Sequence, residues 1–163
     1  MRAFVKAAIV LHFFLLGFFA HWLFITIPSP LQQPLSQGSM GTQELHSPYD
    51  WIDEKDISLS NSQVCVKVDQ PILAAFENTN SMDPLIDSTA NAIEIIPKNP
   101  EEIHVGDIVS YKSGSNVIIH RVTEIGSDDQ GWFARFKGDN NPGEDPNKVR
   151  FPDIQRVALM IVY

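Results

Sequence analysis

Residues 107–122 read DIVSYKSGSNVIIHRV. Two apolar runs, Asp107 to Tyr111 and Val117 to Val122, flank the polar stretch Lys112-Ser113-Gly114-Ser115-Asn116. Apolar runs of this length, parted by Gly, Ser and Asn, read as two strands joined by a hairpin-like turn. The same signature repeats outward along the chain. Val64, Val66 and Val68 alternate with Cys65 and Lys67, the period of two of a half-buried strand. Ile72 to Phe76 is a short apolar run, and Ala92 to Ile96 is another, stopped by Pro97. Trp132, Ala134 and Phe136 alternate with Phe133, Arg135 and Lys137, and Val157 to Val162 closes the series. Seven short strands with few helical windows predict a mainly β domain of the small barrel or sandwich type, over residues 49–163. Cys65 and Trp132 are expected in its core, and His104, beside Glu101 and Glu102, on its surface.

The beginning of the chain has a different character. From Ala3 to Ile27, 20 of 25 residues are apolar, and Ala7 to Ile27 is an uncharged run of 21 residues. A bilayer core of about 30 Å needs about 20 helical residues to cross. Arg2 and Lys6 precede the run, and the next basic residue is Lys55. The positive-inside rule then puts the amino terminus in the cytoplasm and the rest of the chain outside. A cleaved secretory signal would have a shorter apolar core and end at a small-x-small site, which Thr26-Ile27-Pro28-Ser29-Pro30 does not offer. Residues 1–27 therefore read as a retained single-span membrane anchor. Residues 28–48, punctuated by Pro28, Pro30, Pro34 and Pro48 among Gln, Ser and Gly, read as an extended tether.

Charge excludes several functions. All twenty acidic residues of the 163 follow the anchor, against ten Lys and Arg there, a balance of ten minus twenty, or −10. Such a domain has no electrostatic footprint for nucleic acid and no basic patch for anionic lipid. One cysteine allows neither an internal disulfide nor a multi-cysteine zinc site.

Four stretches carry candidate chemistry: Asn80-Ser81-Met82-Asp83-Pro84, Gly106-Asp107-Ile108-Val109, Ile118-Ile119-His120-Arg121-Val122, and Lys137-Gly138-Asp139-Asn140-Asn141 with Glu144-Asp145 shortly after. A serine hydroxyl is a poor nucleophile until a base takes its proton. An imidazole, with an ordinary pKa near 6.5, is a natural base at neutral pH. A carboxylate on its other nitrogen fixes tautomer and orientation. Ser81, His120 and either Asp139 or Asp145 supply one group of each kind. Activity that depends on such a base falls below about pH 6 to 7. Taken singly, each stretch also has a structural reading: a turn, a core histidine, a loop signature.

Together, and in this order, they resemble the type I signal peptidase family in its archaeal and endoplasmic-reticulum form, a membrane-anchored serine protease with a β-rich catalytic domain. The Ser-Met-x-Pro motif that holds the nucleophile is matched by Ser81-Met82-Asp83-Pro84, and Gly106 to Val109 match Gly-Asp-x-Val. His120-Arg121-Val122 stand where the bacterial form has a lysine base. The resemblance covers roughly residues 75 to 145. The acidic pair reads Glu144-Asp145 rather than Asp-Asp, with Pro142-Gly143 before it, so the third group stays open between Asp139 and Asp145.

The resemblance implies a signal-peptidase- or LexA-like β-barrel-type domain behind the anchor. It implies that Ser81 attacks a scissile carbonyl, His120 shuttles the proton, and an aspartate orients His120. It implies signal peptides of exported preproteins as substrates, cut after small residues, with Met82 as a pocket or membrane-facing residue. The mechanism calls for no cofactor and no metal. Arg121 is expected to make a structural ion pair. Three rivals stand beside this reading. A LexA-type self-cleaving domain would need a lysine base on the strand where His120 sits and a self-cleavage site, commonly Ala-Gly or Cys-Gly, and neither dipeptide occurs. A catalytically silent, membrane-tethered binding module would keep Ser81 and His120 as relics. A metal site would use His120, Asp139 and Asp145.

Overall fold

The computed structural model describes His12, Leu15 and residues 45–163. The chain divides into two units, Met1–Thr42 and Gln43–Tyr163. No helix among the described residues is long and apolar enough to cross a membrane. Apart from His12 and Leu15, the anchor read in residues 1–27 and the tether as far as residue 44 fall outside that description.

The second unit is mainly β. Strands β1 (Ile57–Leu59) and β2 (Val64–Val66) form a two-stranded antiparallel sheet. Strands β3 (Ile72–Ala75), β4 (Asn91–Ile95), β5 (Ile108–Ser113), β6 (Asn116–Asp128), β7 (Gly131–Lys137) and β8 (Ile154–Val162) form a six-stranded sheet. Its order is β3-β4-β8-β5-β6-β7, antiparallel throughout.

The β5–β6 hairpin is tighter than the five-residue turn read from sequence. Pairing runs from Ile108↔Arg121 to Ser113↔Asn116, which leaves Gly114 and Ser115 alone in the turn. Gly114 has φ +62°, the position a two-residue type II′ turn reserves for glycine. Strand β5 is buried on both faces. Ile108 joins a core cluster with Met82, Ile86, Ala92 and Ala158. Its neighbour Val109 points the other way, into a larger cluster around Tyr111, Val122, Phe136 and Val157. Burying a side chain of this size contributes about 1.5–3 kcal/mol.

Two expectations about packing change. Cys65 is exposed rather than core. The β1–β2 ladder puts Ile57, Leu59, Val64 and Val66 on one face and Ser58 with Cys65 on the other, and none of these residues belongs to either core cluster. Trp132 is half-buried, packed against the larger cluster and edge-on to Phe151.

The folded unit also begins before Tyr49. Asp107 is wholly buried and accepts from Tyr49 N–H at 2.9 Å, Trp51 Nε1 at 3.1 Å and His104 N–H at 2.8 Å. Three donors compensate the desolvation of its charge. Arg121 reaches the His46 carbonyl at 2.9 Å. Residues 46–51 are thus a strap fastened to the sheet, not a free tether end. His104, expected at the surface, stacks its ring on Tyr49 with centroids 3.9 Å apart. Gly106 has φ +102°, and a Cβ there would lie 2.0 Å from the Ser47 carbonyl oxygen.

At the far end of β6, Asp128 is gripped by Arg150 at 2.8 Å and Lys148 at 2.7 Å. Arg150 first, then Lys148, hold its carboxyl well below the usual carboxylate range.

Two outcomes follow from this packing. Gly106→Ala strains the backbone and displaces the strap, and urea unfolding of the full chain should show a loss of at least about 1–3 kcal/mol. An unchanged midpoint contradicts the packing. Because the native pKa of Asp128 is depressed, its stabilisation is present above the unfolded value of about 3.9 and is lost as pH falls through the native value. Asp128→Asn should lower Tm at pH 7, and its gap from wild type should narrow as pH drops below about 4.

Candidate active site

Ser81 sits in the loop between β3 and β4. The preceding Asn80 has φ +58°, a left-handed conformation that asparagine tolerates. After it the chain turns at once, with Leu85 and Ile86 N–H donating to the Met82 carbonyl at 2.9 and 3.0 Å. Met82 and Ile86 are buried in the smaller core cluster and root this turn. Met82 is therefore first a packing residue, and its side chain also forms part of the wall of a cleft.

A second loop, after β7, clasps the first. Asn140 N–H donates to the Ser81 carbonyl at 3.0 Å, and Asn140 Nδ2 to the Asn80 carbonyl at 3.0 Å. A Cβ at Gly138 would stand 2.5 Å from the Ser81 carbonyl oxygen, so glycine is what lets the loops approach. Asp139 N–H points at Met82 Sδ, 3.4 Å away.

His120 and Arg121 are neighbours on β6, and alternation sends them to opposite faces. On one face His120, 5% exposed, has Nδ1 2.7 Å from Asp145 Oδ2. On the other, Arg121 grips Asp139 with two bonds, Nε to Oδ1 at 2.8 Å and Nη2 to Oδ2 at 2.6 Å. Its remaining Nη1 donates to the carbonyls of Gly106 and His46, both at 2.9 Å. The carboxylate beside His120 is Asp145, and Asp139 belongs to Arg121. His120, Asp139 and Asp145 consequently do not converge as metal ligands. Among the described residues, no group of three or more His, Cys, Asp or Glu is placed to hold a metal ion.

Ser81 and His120 line the same cleft, about 650 Å³ in volume. No hydrogen bond joins them; Ser81 Oγ instead shares one with Thr79 Oγ1 at 3.1 Å. Both long walls of the cleft offer backbone edges. β3 ends the sheet order. β6 is paired by β7 only from Arg121 onward, so among the described residues nothing pairs 116–120 on that side. Such edges accept an extended peptide as an added strand.

Three cleft or site residues escaped the sequence reading. Thr79 hydrogen-bonds the serine. Tyr111 donates its hydroxyl to Asp145 Oδ2 at 2.5 Å. Burial first, then that hydrogen bond, push the Tyr111 pKa well above the usual phenol range, so the hydroxyl stays a donor. Glu94 is wholly buried, accepts from Ser110 Oγ at 2.9 Å and faces Arg156 Nη1 at 3.4 Å. A charge inside the apolar run Ala92 to Ile96 was the available signal for Glu94. Thr79 and Tyr111 had none, because a hydroxyl near a motif is common.

Removing one partner of a buried ion pair leaves the other charge uncompensated. Arg121→Ala should therefore cost about 3–5 kcal/mol in chemical unfolding of the full chain. A loss below about 1 kcal/mol, typical of exposed pairs, contradicts the burial of this one.

No family model matches the chain, and neither a curated protein nor a solved structure does; the functional reading rests on the arrangement of these residues.

Proposed function

We propose that this chain is a membrane-anchored serine endopeptidase of the type I signal peptidase kind, cutting signal peptides from exported preproteins after small residues. The observation that carries the reading is the 2.7 Å pairing of His120 Nδ1 with Asp145, in a cleft that Ser81 also lines. An imidazole tied to a carboxylate through Nδ1 keeps Nε2 for a hydroxyl proton. In this reading Ser81 Oγ attacks the scissile carbonyl as His120 Nε2 takes its proton. The tetrahedral intermediate collapses, His120 protonates the leaving amine, and an acyl-enzyme remains. Water, deprotonated by His120, then releases the acyl group. The Thr79 hydroxyl beside Ser81 Oγ is a side-chain donor for the oxyanion, complementing backbone N–H near Ser81.

The unpaired edges of β3 and β6 suit a preprotein segment bound in extended form. The domain is in this view a small signal-peptidase- or LexA-like barrel-type fold. Residues 1–27 hold it on the extracytoplasmic side of the cell membrane, with the amino terminus inside. Its partners are membrane lipid and signal peptides, not nucleic acid.

One observation favours a second reading, a catalytically silent tethered binding module: Ser81 bonds to Thr79 and not to His120. Catalytic hydrogen bonds are commonly long without substrate and tighten in the complex, so the peptidase reading keeps precedence.

The test is cleavage of a preprotein by the detergent-solubilised full chain. Ser81→Ala and His120→Ala should each lower kcat by more than about 10³-fold. Asp145→Asn should cost about 10²–10⁴-fold with the fold intact, whereas Asp139→Asn should act chiefly on stability. Wild-type protein that is folded yet cleaves none of several preproteins would move the assignment to the binding module.

A further inference from the structure

We propose that Tyr111 is a positioning residue of the His120–Asp145 pair: its hydroxyl orients the Asp145 carboxylate and shares the oxygen on which His120 Nδ1 rests. The kinetic side of this proposal rests on the peptidase reading; the geometry does not.

Asp145 lies in the irregular chain after β7, where no ladder holds a side chain in place. Its backbone is pinned, with N–H donating to the Phe136 carbonyl at 2.8 Å. Its carboxylate is held by two contacts on Oδ2, Tyr111 at 2.5 Å and His120 at 2.7 Å. Without Tyr111, the base would be the only side chain among the described residues that orients the group meant to orient it. Tyr111 is itself well fixed. It is 3% exposed and stacks on Phe136 with centroids 4.4 Å apart. Tyr111 pairs with Ile118 and His120 with Val109, so both project from the same face of the hairpin, diagonal to each other. That register delivers hydroxyl and imidazole to one oxygen.

The sharing also has an electrostatic consequence. A carboxylate oxygen that already accepts from a neutral hydroxyl offers less to an adjacent imidazolium. Removing the hydroxyl concentrates Asp145 on His120 and stabilises the protonated ring. Other charged groups nearby have separate commitments. Asp139 is paired with Arg121 on the opposite face. Glu144 is held by Thr123 and Arg135. Glu94 faces Ser110 and Arg156, and Glu77, on the same cleft, is exposed and screened by solvent.

The experiment is an NMR titration of the His120 ring in the detergent-solubilised full chain, in a Ser81→Ala background. Tyr111→Phe, which keeps the stacked ring, should raise the midpoint by about half a pH unit or more. With Asp145→Asn already present, Tyr111→Phe should have no such effect, since the coupling runs through Asp145. In the Ser81 enzyme the acid limb of kcat/KM should move up by the same amount. The chain without a Tyr111 substitution supplies an independent readout: the Tyr111 hydroxyl proton should shift with the His120 midpoint. An unmoved midpoint in Tyr111→Phe, an equal shift in the Asp145→Asn background, or a hydroxyl proton indifferent to the His120 titration would overturn the proposal. The titration needs no cleavage, so a chain inert toward preproteins refutes the peptidase reading alone. A null titration in an active enzyme refutes the role of Tyr111 alone.

Discussion

A buried guanidinium clamped on a buried carboxylate organises this domain. Arg121 spends four N–H bonds, two on Asp139 and one each on the carbonyls of Gly106 and His46. Through Asp139 it fixes the loop whose next residue, Asn140, holds the backbone of Ser81. Through Gly106 and His46 it fastens the strap that leads into the folded unit. Desolvating both charges is expensive, and the pair is sustained by bidentate geometry and by the carbonyls that occupy the remaining donor.

The alternation of β6 turns that clamp into a division of labour. His120 and Arg121 are adjacent, so their partners must lie on opposite faces of the sheet. Two aspartates six residues apart in one loop are therefore assigned to different tasks. Asp139 stabilises the scaffold on one face, and Asp145 meets the imidazole on the other. β5 repeats the pattern: Ile108 packs under the serine loop, and Tyr111, three residues on, reaches the opposite face to touch Asp145. β5, buried on both faces, thus connects the loop of Ser81 with the His120–Asp145 pair without a long-range element between them.

Most of the strands were legible as short apolar runs broken by turn residues, because a half-buried strand must alternate and a doubly buried one must be continuously apolar. β1 was not, since three residues carry no period. Cys65 departs from the expected core position because alternation reports only a face, and in the β1–β2 ladder Cys65 is exposed. Sequence makes the hairpin turn longer than it is, because polar Lys112 and Asn116 resemble loop residues although both pair in the ladder.

From sequence alone came the mainly β class, the order of the motifs, and Ser81 and His120 as the serine and imidazole of the candidate site. These depend on residue type and local spacing, which the chain displays directly. Which aspartate meets His120, that Tyr111 shares its oxygen, that Met82 is packing before it is cleft wall, and that residues 46–51 are a strap were decided by the tertiary structure alone. Each depends on which face of a strand meets which loop. That is fixed by ladder register and by the burial of charge, and no stretch of neighbouring residues encodes either one.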